Sequence, residues 1–153
     1  MIEKLQILRT VPQAIAYIPI KVPREDVRTV MGPGLAEVRA ALAEQGAAAA
    51  GPWFTHHFRA PGAMFDFEIC VPVAAAITPS GRVRAGEWAA TDVARTTYHG
   101  GFEGLGAAWG AFMEAILDEG RKTGDDLWER YLVGPEAGAD PAAWRTELSK
   151  PLA

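Results

Sequence analysis

Two stretches of the chain match each other in order, and this match limits the fold more than any other feature. Leu42-Ala-Glu-Gln-Gly46 lies opposite Leu117-Asp-Glu-Gly-Arg121, and Trp53 lies opposite Trp128 at the same spacing. Glu68-Ile-Cys-Val-Pro72 then lies opposite Glu147-Leu-Ser-Lys-Pro151, slightly further on, because the second half carries the longer loop, Gly134 to Pro141. Each half therefore reads strand, helix, strand, strand. A βαββ unit covers one face of its sheet with its helix, and two such units can share a sheet and a groove. The expectation is an α+β fold of duplicated βαββ units, at about 11–76 and 86–152 within one domain spanning 1–153. It comprises an antiparallel sheet, two helices and a central ligand groove. Chance likeness between two amphipathic stretches is the competing explanation.

Local patterns fill in the units. Val11, Ala14, Ala16 and Ile18 alternate weakly and end at Pro19 and Pro23, which predicts an edge strand near Gln13 to Ile20. Leu5 to Thr10 reads as an earlier strand or an arm. Val27, Val30, Met31, Leu35, Val38 and Leu42 recur at helical spacing, but Gly32-Pro33-Gly34 interrupts them. A short turn, a break and a helix from about Pro33 to Gln45 follow from that pattern. Trp53 to Phe58 and Phe65 to Val73 read as strands joined by the turn Arg59 to Gly62. Arg82 to Glu87 and Thr91 to Tyr98 read as a hairpin or bent strand pair. Phe102 to Lys122 is the clearest helix, with Phe102, Leu105, Trp109, Phe112, Met113, Ile116 and Leu117 in steps of three and four. Gly104, Gly106 and Gly110 each cost it about 0.5–1 kcal/mol relative to Ala, a cost usually kept where something approaches the backbone closely. Leu127 to Val133 and Trp144 to Leu148 supply the last strands.

Composition excludes several classes. A net charge of −4 argues against a nucleic-acid surface as the main partner. The longest apolar run, Ile69 to Ile77, contains Pro72 and is far shorter than the ~20 residues of a membrane span. The N-terminus has no signal-peptide core, and the single cysteine, Cys70, fits a reducing cytoplasm. His56, His57 and His99 do not make a metal set, because adjacent histidines in a strand face opposite ways. Cys70 has no activating neighbour, and Gly100-Gly101 is too short for a phosphate loop. No metal and no cofactor is expected. Aromatic residues reach 9% of the chain, and they pose the question of what the rings are for.

Tyr98-His-Gly-Gly-Phe-Glu-Gly-Leu105, Trp109, Trp128-Glu-Arg-Tyr131, Gly134-Pro135, Asp140-Pro141 and Trp144-Arg-Thr-Glu-Leu148 with Pro151-Leu152 occur in that order. In this the chain resembles the GyrI-like small-molecule-binding domains, which also form the effector-binding half of AraC-type and MerR-type regulators. The likeness runs from near Ala16 to Leu152. It departs at Gly101-Phe102, where many relatives have Pro-Tyr, so any hydroxyl contact from that position is lost. The resemblance implies an antiparallel sheet, two helices and a pocket for bulky, flat, often cationic drugs or dyes. It also implies that Glu147 is the pocket carboxylate. The domain uses up the chain, leaving no room for a helix-turn-helix.

The residues themselves leave choices open. Glu147 shares a strand face with Arg145 and Ser149, so a solvated outer-face glutamate competes with the pocket role. An unpaired carboxylate among aromatic rings would lose hydration and be poised for a cation. A planar cation would then gain ring-face attraction of about 0.5–2 kcal/mol per aromatic. Glu68 holds the repeat-equivalent place, as a second acidic wall or as an ordinary exposed strand residue. Trp109 and Phe112 lie on the apolar side of the second helix, as core or as ligand surface, and the flanking glycines favour Trp109 for the ligand. Tyr131 and Glu129 share one strand face, and the Tyr131 hydroxyl would bond Glu147, a ligand, or its own core. Trp53 caps the other end in this reading, with Trp88 and Tyr98 as weaker candidates.

Two functions compete. One is a stand-alone binder of bulky planar hydrophobic, preferably cationic, small molecules. The other is an enzyme using Glu147, Glu68 and Tyr131 as acid, base or water-orienting groups; the resemblance implies a hydrolase of cyclopropane-bearing alkylating toxins, as some proteins of similar type are. A protein partner is a third possibility for which the sequence marks no surface.

Overall fold

The computed structural model describes residues 1–153, which form eight strands and two helices arranged as two compact units. The first unit is Val11–Ala90; the second joins Met1–Thr10 to Thr91–Ala153. Every strand pair within them is antiparallel. The fold is α+β, as the repeat predicts.

The first unit contains β2 (Gln13–Pro23), α1 (Val27–Glu44), β3 (Phe54–His57), β4 (Met64–Pro72) and β5 (Arg84–Trp88). Its strands run in the order β3-β4-β2-β5. Ile18, Ile20, Phe67, Ile69 and Val71 pack against Val38, Ala41 and Leu42 of α1, so one sheet face is sealed by the helix. Each such side chain contributes about 1.5–3 kcal/mol on full burial. Two expectations fail here. β2 lies between β4 and β5 rather than at an edge, although β5 pairs with it only from Gln13 to Tyr17 and ends before Pro19. Proline lacks the N–H that a further partner would need, and none is placed there. The helix also runs unbroken through Pro33. Gly34 explains part of this: a Cβ there would stand 2.6 Å from the Ile69 side chain and 3.2 Å from Ile18. Close seating on the sheet outweighs the local penalty of one proline.

The second unit contains β1 (Gln6–Arg9), β6 (Asp92–His99), α2 (Leu105–Asp118), β7 (Leu127–Val133) and β8 (Arg145–Pro151), with strand order β1-β6-β8-β7. Ala108, Phe112 and Ile116 of α2 pack on Ala94, Tyr98 and Leu148. Gly120, at φ +71°, follows the end of the helix, a conformation that favours glycine. The predicted hairpin between the fifth and sixth strands does not form: β5 pairs with β2, whereas β6 pairs with β1 and β8. Each half thus keeps its strand-helix-strand-strand run, but the strand ahead of it completes the other half's sheet.

The glycine argument also changes. Gly106 and Gly110 face open space, with no atom within 4 Å of the point where a Cβ would stand. The close approach is at Gly104 instead, where any side chain would collide with the Tyr98 hydroxyl.

Candidate functional site

Alternation along β7 sends Glu129 and Tyr131 to the face covered by α2, opposite Leu148 and Thr146 of β8. From α2, Trp109 donates its indole N–H to Glu129 Oε2 at 2.7 Å. The Tyr131 hydroxyl donates to Oε1 at 2.8 Å. No basic side chain pairs with this carboxylate. Glu129 is half-buried as a residue, and its carboxyl end is enclosed by protein. Burial raises its pKa, and the two hydrogen bonds pull in the opposite direction because they favour the charged form.

Rings continue outward from this carboxylate. Phe102 meets Tyr131 edge-on at a centroid distance of 5.9 Å, and Trp144 lies 5.1 Å from Phe102. On the inner side, Trp109 lies 5.6 Å from Phe112. Phe112 is fully buried beneath it and belongs to the core. An anionic group held by neutral donors and flanked by rings suits a cation with apolar bulk.

Glu147 is placed differently from the expectation of a lone carboxylate. It lies on the face of β8 away from α2, 3.3 Å from Arg95 Nε and 3.1 Å from Arg130 Nε, with 15% of its side chain exposed. Two guanidinium groups already satisfy its charge. Arg95 also donates to Ser149 Oγ at 2.9 Å. Because Tyr131 faces the helix side, its hydroxyl reaches Glu129 and not Glu147, and Tyr131 and Glu147 do not act on one substrate group from a common face. Tyr98 is buried, and its hydroxyl donates to the Gly101 carbonyl at 2.9 Å, a scaffold contact.

The remaining candidates belong to the first unit. Glu68 lies 3.3 Å from His56 Nδ1, with little exposure. Trp53 packs against the apolar cluster under α1. Trp88 is buried, 5.0 Å from Phe54. His57 faces the α1 side, stacked on Phe67 at 4.9 Å, with Nε2 3.1 Å from Thr55 Oγ1. Burial, then the neighbouring His56, lowers its pKa to about 4. The cross-strand pairs His56–Glu68 and Arg130–Glu147 set the correspondence between units. Trp128 then falls opposite Phe54, one residue beyond the sequence match with Trp53.

Sequence reasoning passed over Glu129, Phe102 and Trp144 as site residues. The signal for Glu129 was its two-residue spacing from Tyr131, which puts both on one strand face. Phe102 and Trp144 meet only through the fold.

Neither a protein-family model nor a curated protein sequence matches the chain. Solved structures do. The C-terminal domain of EcmrR superposes with a TM-score of 0.87 over 98% of this chain and 97% of that one, at 19% identity. This chain has the fold of that domain. The GyrI-like resemblance therefore stands at the level of architecture. The chain spans 57% of the EcmrR chain in a complex with DNA, with a TM-score of 0.85 and 18% identity over 97% of this chain. A hydrolase from Listeria innocua matches with a TM-score of 0.69 at 12% identity, covering 98% of this chain and 92% of its own. SAV2435, solved bound to tetraphenylphosphonium, matches with a TM-score of 0.65 at 10% identity, covering 99% of this chain and 94% of its own.

Proposed function

We propose that the chain is a binding protein for bulky, planar, preferably cationic small molecules, held at Glu129 between Trp109 and Tyr131. The observation that carries this reading is a carboxylate with two neutral hydrogen-bond donors, no basic partner and rings on either side. A cation supplies the missing countercharge, and the rings bury the apolar body with little regard to its identity. Broad specificity with one charge filter follows. SAV2435, a similar fold, was solved bound to tetraphenylphosphonium, a tetrahedral aromatic cation, which supports the cationic and aromatic parts of the ligand class. The negative net charge argues for small molecules over nucleic acid, and the buried, lone Cys70 fits residence in the cytoplasm. No helix is long and apolar enough to cross a membrane.

The test is a tryptophan-fluorescence titration with tetraphenylphosphonium and with neutral triphenylphosphine oxide. Glu129→Gln should weaken the cation at least about tenfold and leave the neutral compound within about twofold. Glu147→Gln should discriminate much less between the two compounds. Equal loss of both ligands in Glu129→Gln would sink the charge-filter reading.

A second reading rests on the hydrogen bond between the Tyr131 hydroxyl and Glu129. Such a pair can move a proton, and the GyrI-like resemblance implies the substrate of such an enzyme, a cyclopropane-bearing alkylating toxin. Turnover of such a compound, lost in both Glu129→Gln and Tyr131→Phe, selects the enzyme; stoichiometric binding without product selects the binder.

A further inference from the structure

Isolated exposed aromatics need no explanation, but Phe102 and Trp144 are not isolated. Phe102 is 39% exposed, touches Tyr131 on one side and Trp144 on the other, and so continues the ring series away from Glu129. Its backbone is held in place. A Cβ on Gly101 would meet the Glu103 carboxylate at 2.8 Å and Pro141 at 3.0 Å, and one on Gly104 would strike Tyr98. The Trp144 indole N–H is committed to the Gly138 carbonyl at 3.1 Å, and Asp140 caps the following turn through the Ala142 N–H at 3.0 Å. The faces of Trp144 are what remain for packing. Neither ring has a charged or hydrogen-bonding partner at its face, so the outer pair selects apolar, aromatic matter.

We infer that Phe102 and Trp144 form an outer ring subsite contiguous with Glu129, and that the ligand class is an elongated cation with its charge at one end and a second aromatic ring at the other. This rests on the cation reading of Glu129 and adds a length requirement to it. The charged head lies against the carboxylate, between Trp109 and Tyr131. The far ring passes Tyr131 and settles against Phe102 and Trp144. A compact single-ring cation fills only the inner part and forgoes the outer contact.

A matched pair of probes isolates the outer contact: benzyltrimethylammonium and biphenyl-4-ylmethyl-trimethylammonium, which differ by one ring. The wild-type chain should bind the biphenyl compound about tenfold tighter by calorimetry, the scale of one buried ring with an aromatic contact. The double variant Phe102→Ala with Trp144→Leu should lose that gain and hold the single-ring compound within about twofold. Phe102→Tyr and Trp144→Phe, which keep the rings and the fold, should retain it. Glu129→Gln should weaken both compounds by the same factor. A tenfold gain that survives the double variant overturns the outer subsite and leaves Glu129 standing. Equal affinity of both compounds in the wild type does the same. Failure of the wild type to bind either compound overturns the cation site and the extension together.

Discussion

The two units place the same strands and helix in the same order, yet they treat the space under the helix in opposite ways. In the first unit the α1 positions that face the sheet are Gly34, Val38 and Leu42, and the β3 side chains beneath are Thr55 and His57. In the second, the facing helix positions are Ala108, Phe112 and Ile116, and β7 presents Glu129 and Tyr131. Gly34 lets α1 sit close, and His57 Nε2 bonds Thr55 Oγ1 in a dry interior, while His57 Nδ1 has no partner there. In the second unit Trp109 reaches down to a carboxylate that protein encloses and that no basic group pairs with. One unit is filled with apolar core, and the other holds a carboxylate with neutral hydrogen-bond donors and no basic partner. The lesson is that the same order of elements can seal a helix against apolar side chains or hold a carboxylate beneath it, and the proposed site is built on the second.

The largest expected effect breaks the sealed copy. Gly34→Leu drives a side chain into Ile69 and Ile18, and the loss should be about 3 kcal/mol by urea denaturation. Little loss would mean that α1 lifts readily and that the two units are less different than they look.

His57 sharpens the comparison through pH. Its folded pKa, about 4, lies below the ordinary 6.5, so the unfolded chain takes up a proton that the folded chain refuses. Stability from this residue is full above about pH 6.5 and falls as the pH drops toward 4, by about 3 kcal/mol in all. His57→Gln should flatten that slope in denaturation curves taken at successive pH values. An unchanged slope would remove His57 from the account.

The smallest effect concerns the second unit. Burial raises the Glu129 pKa, so the folded state favours its proton more than the unfolded state does, and its contribution improves as the pH falls through the folded value. At neutral pH, Glu129→Gln should therefore leave the melting temperature no lower while it weakens cation binding. A melting temperature that falls instead would show the carboxylate to be better satisfied than its neighbours suggest.

Much of the fold was readable because it depends on local period. β7 runs from Leu127 to Val133 as the alternation predicts, and the apolar positions of α2 are its buried ones. What was not readable depends on distant partners. Consecutive strands usually pair, so Arg82 to Tyr98 reads as a hairpin, but β5 and β6 find partners elsewhere. The site shows the same division. That Glu129 and Tyr131 share a face follows from spacing alone. That Glu147 is neutralised does not, because Arg95 and Arg130 reach it from the strands on either side. The family likeness implies Glu147 as the acidic residue, whereas strand parity sets Glu129 beside Tyr131, and the proposed site is built on that second placement.

The exchange of leading strands has a consequence for biosynthesis. β1 leaves the ribosome ahead of β2, but its partner β6 emerges only after the whole of Val11–Ala90 has been made. That intervening stretch can close on itself while β1 waits with its edge exposed. A nascent chain stalled near Ala90 would therefore carry one finished half and a dangling, adhesive leader, and deleting the first ten residues would injure the half encoded last.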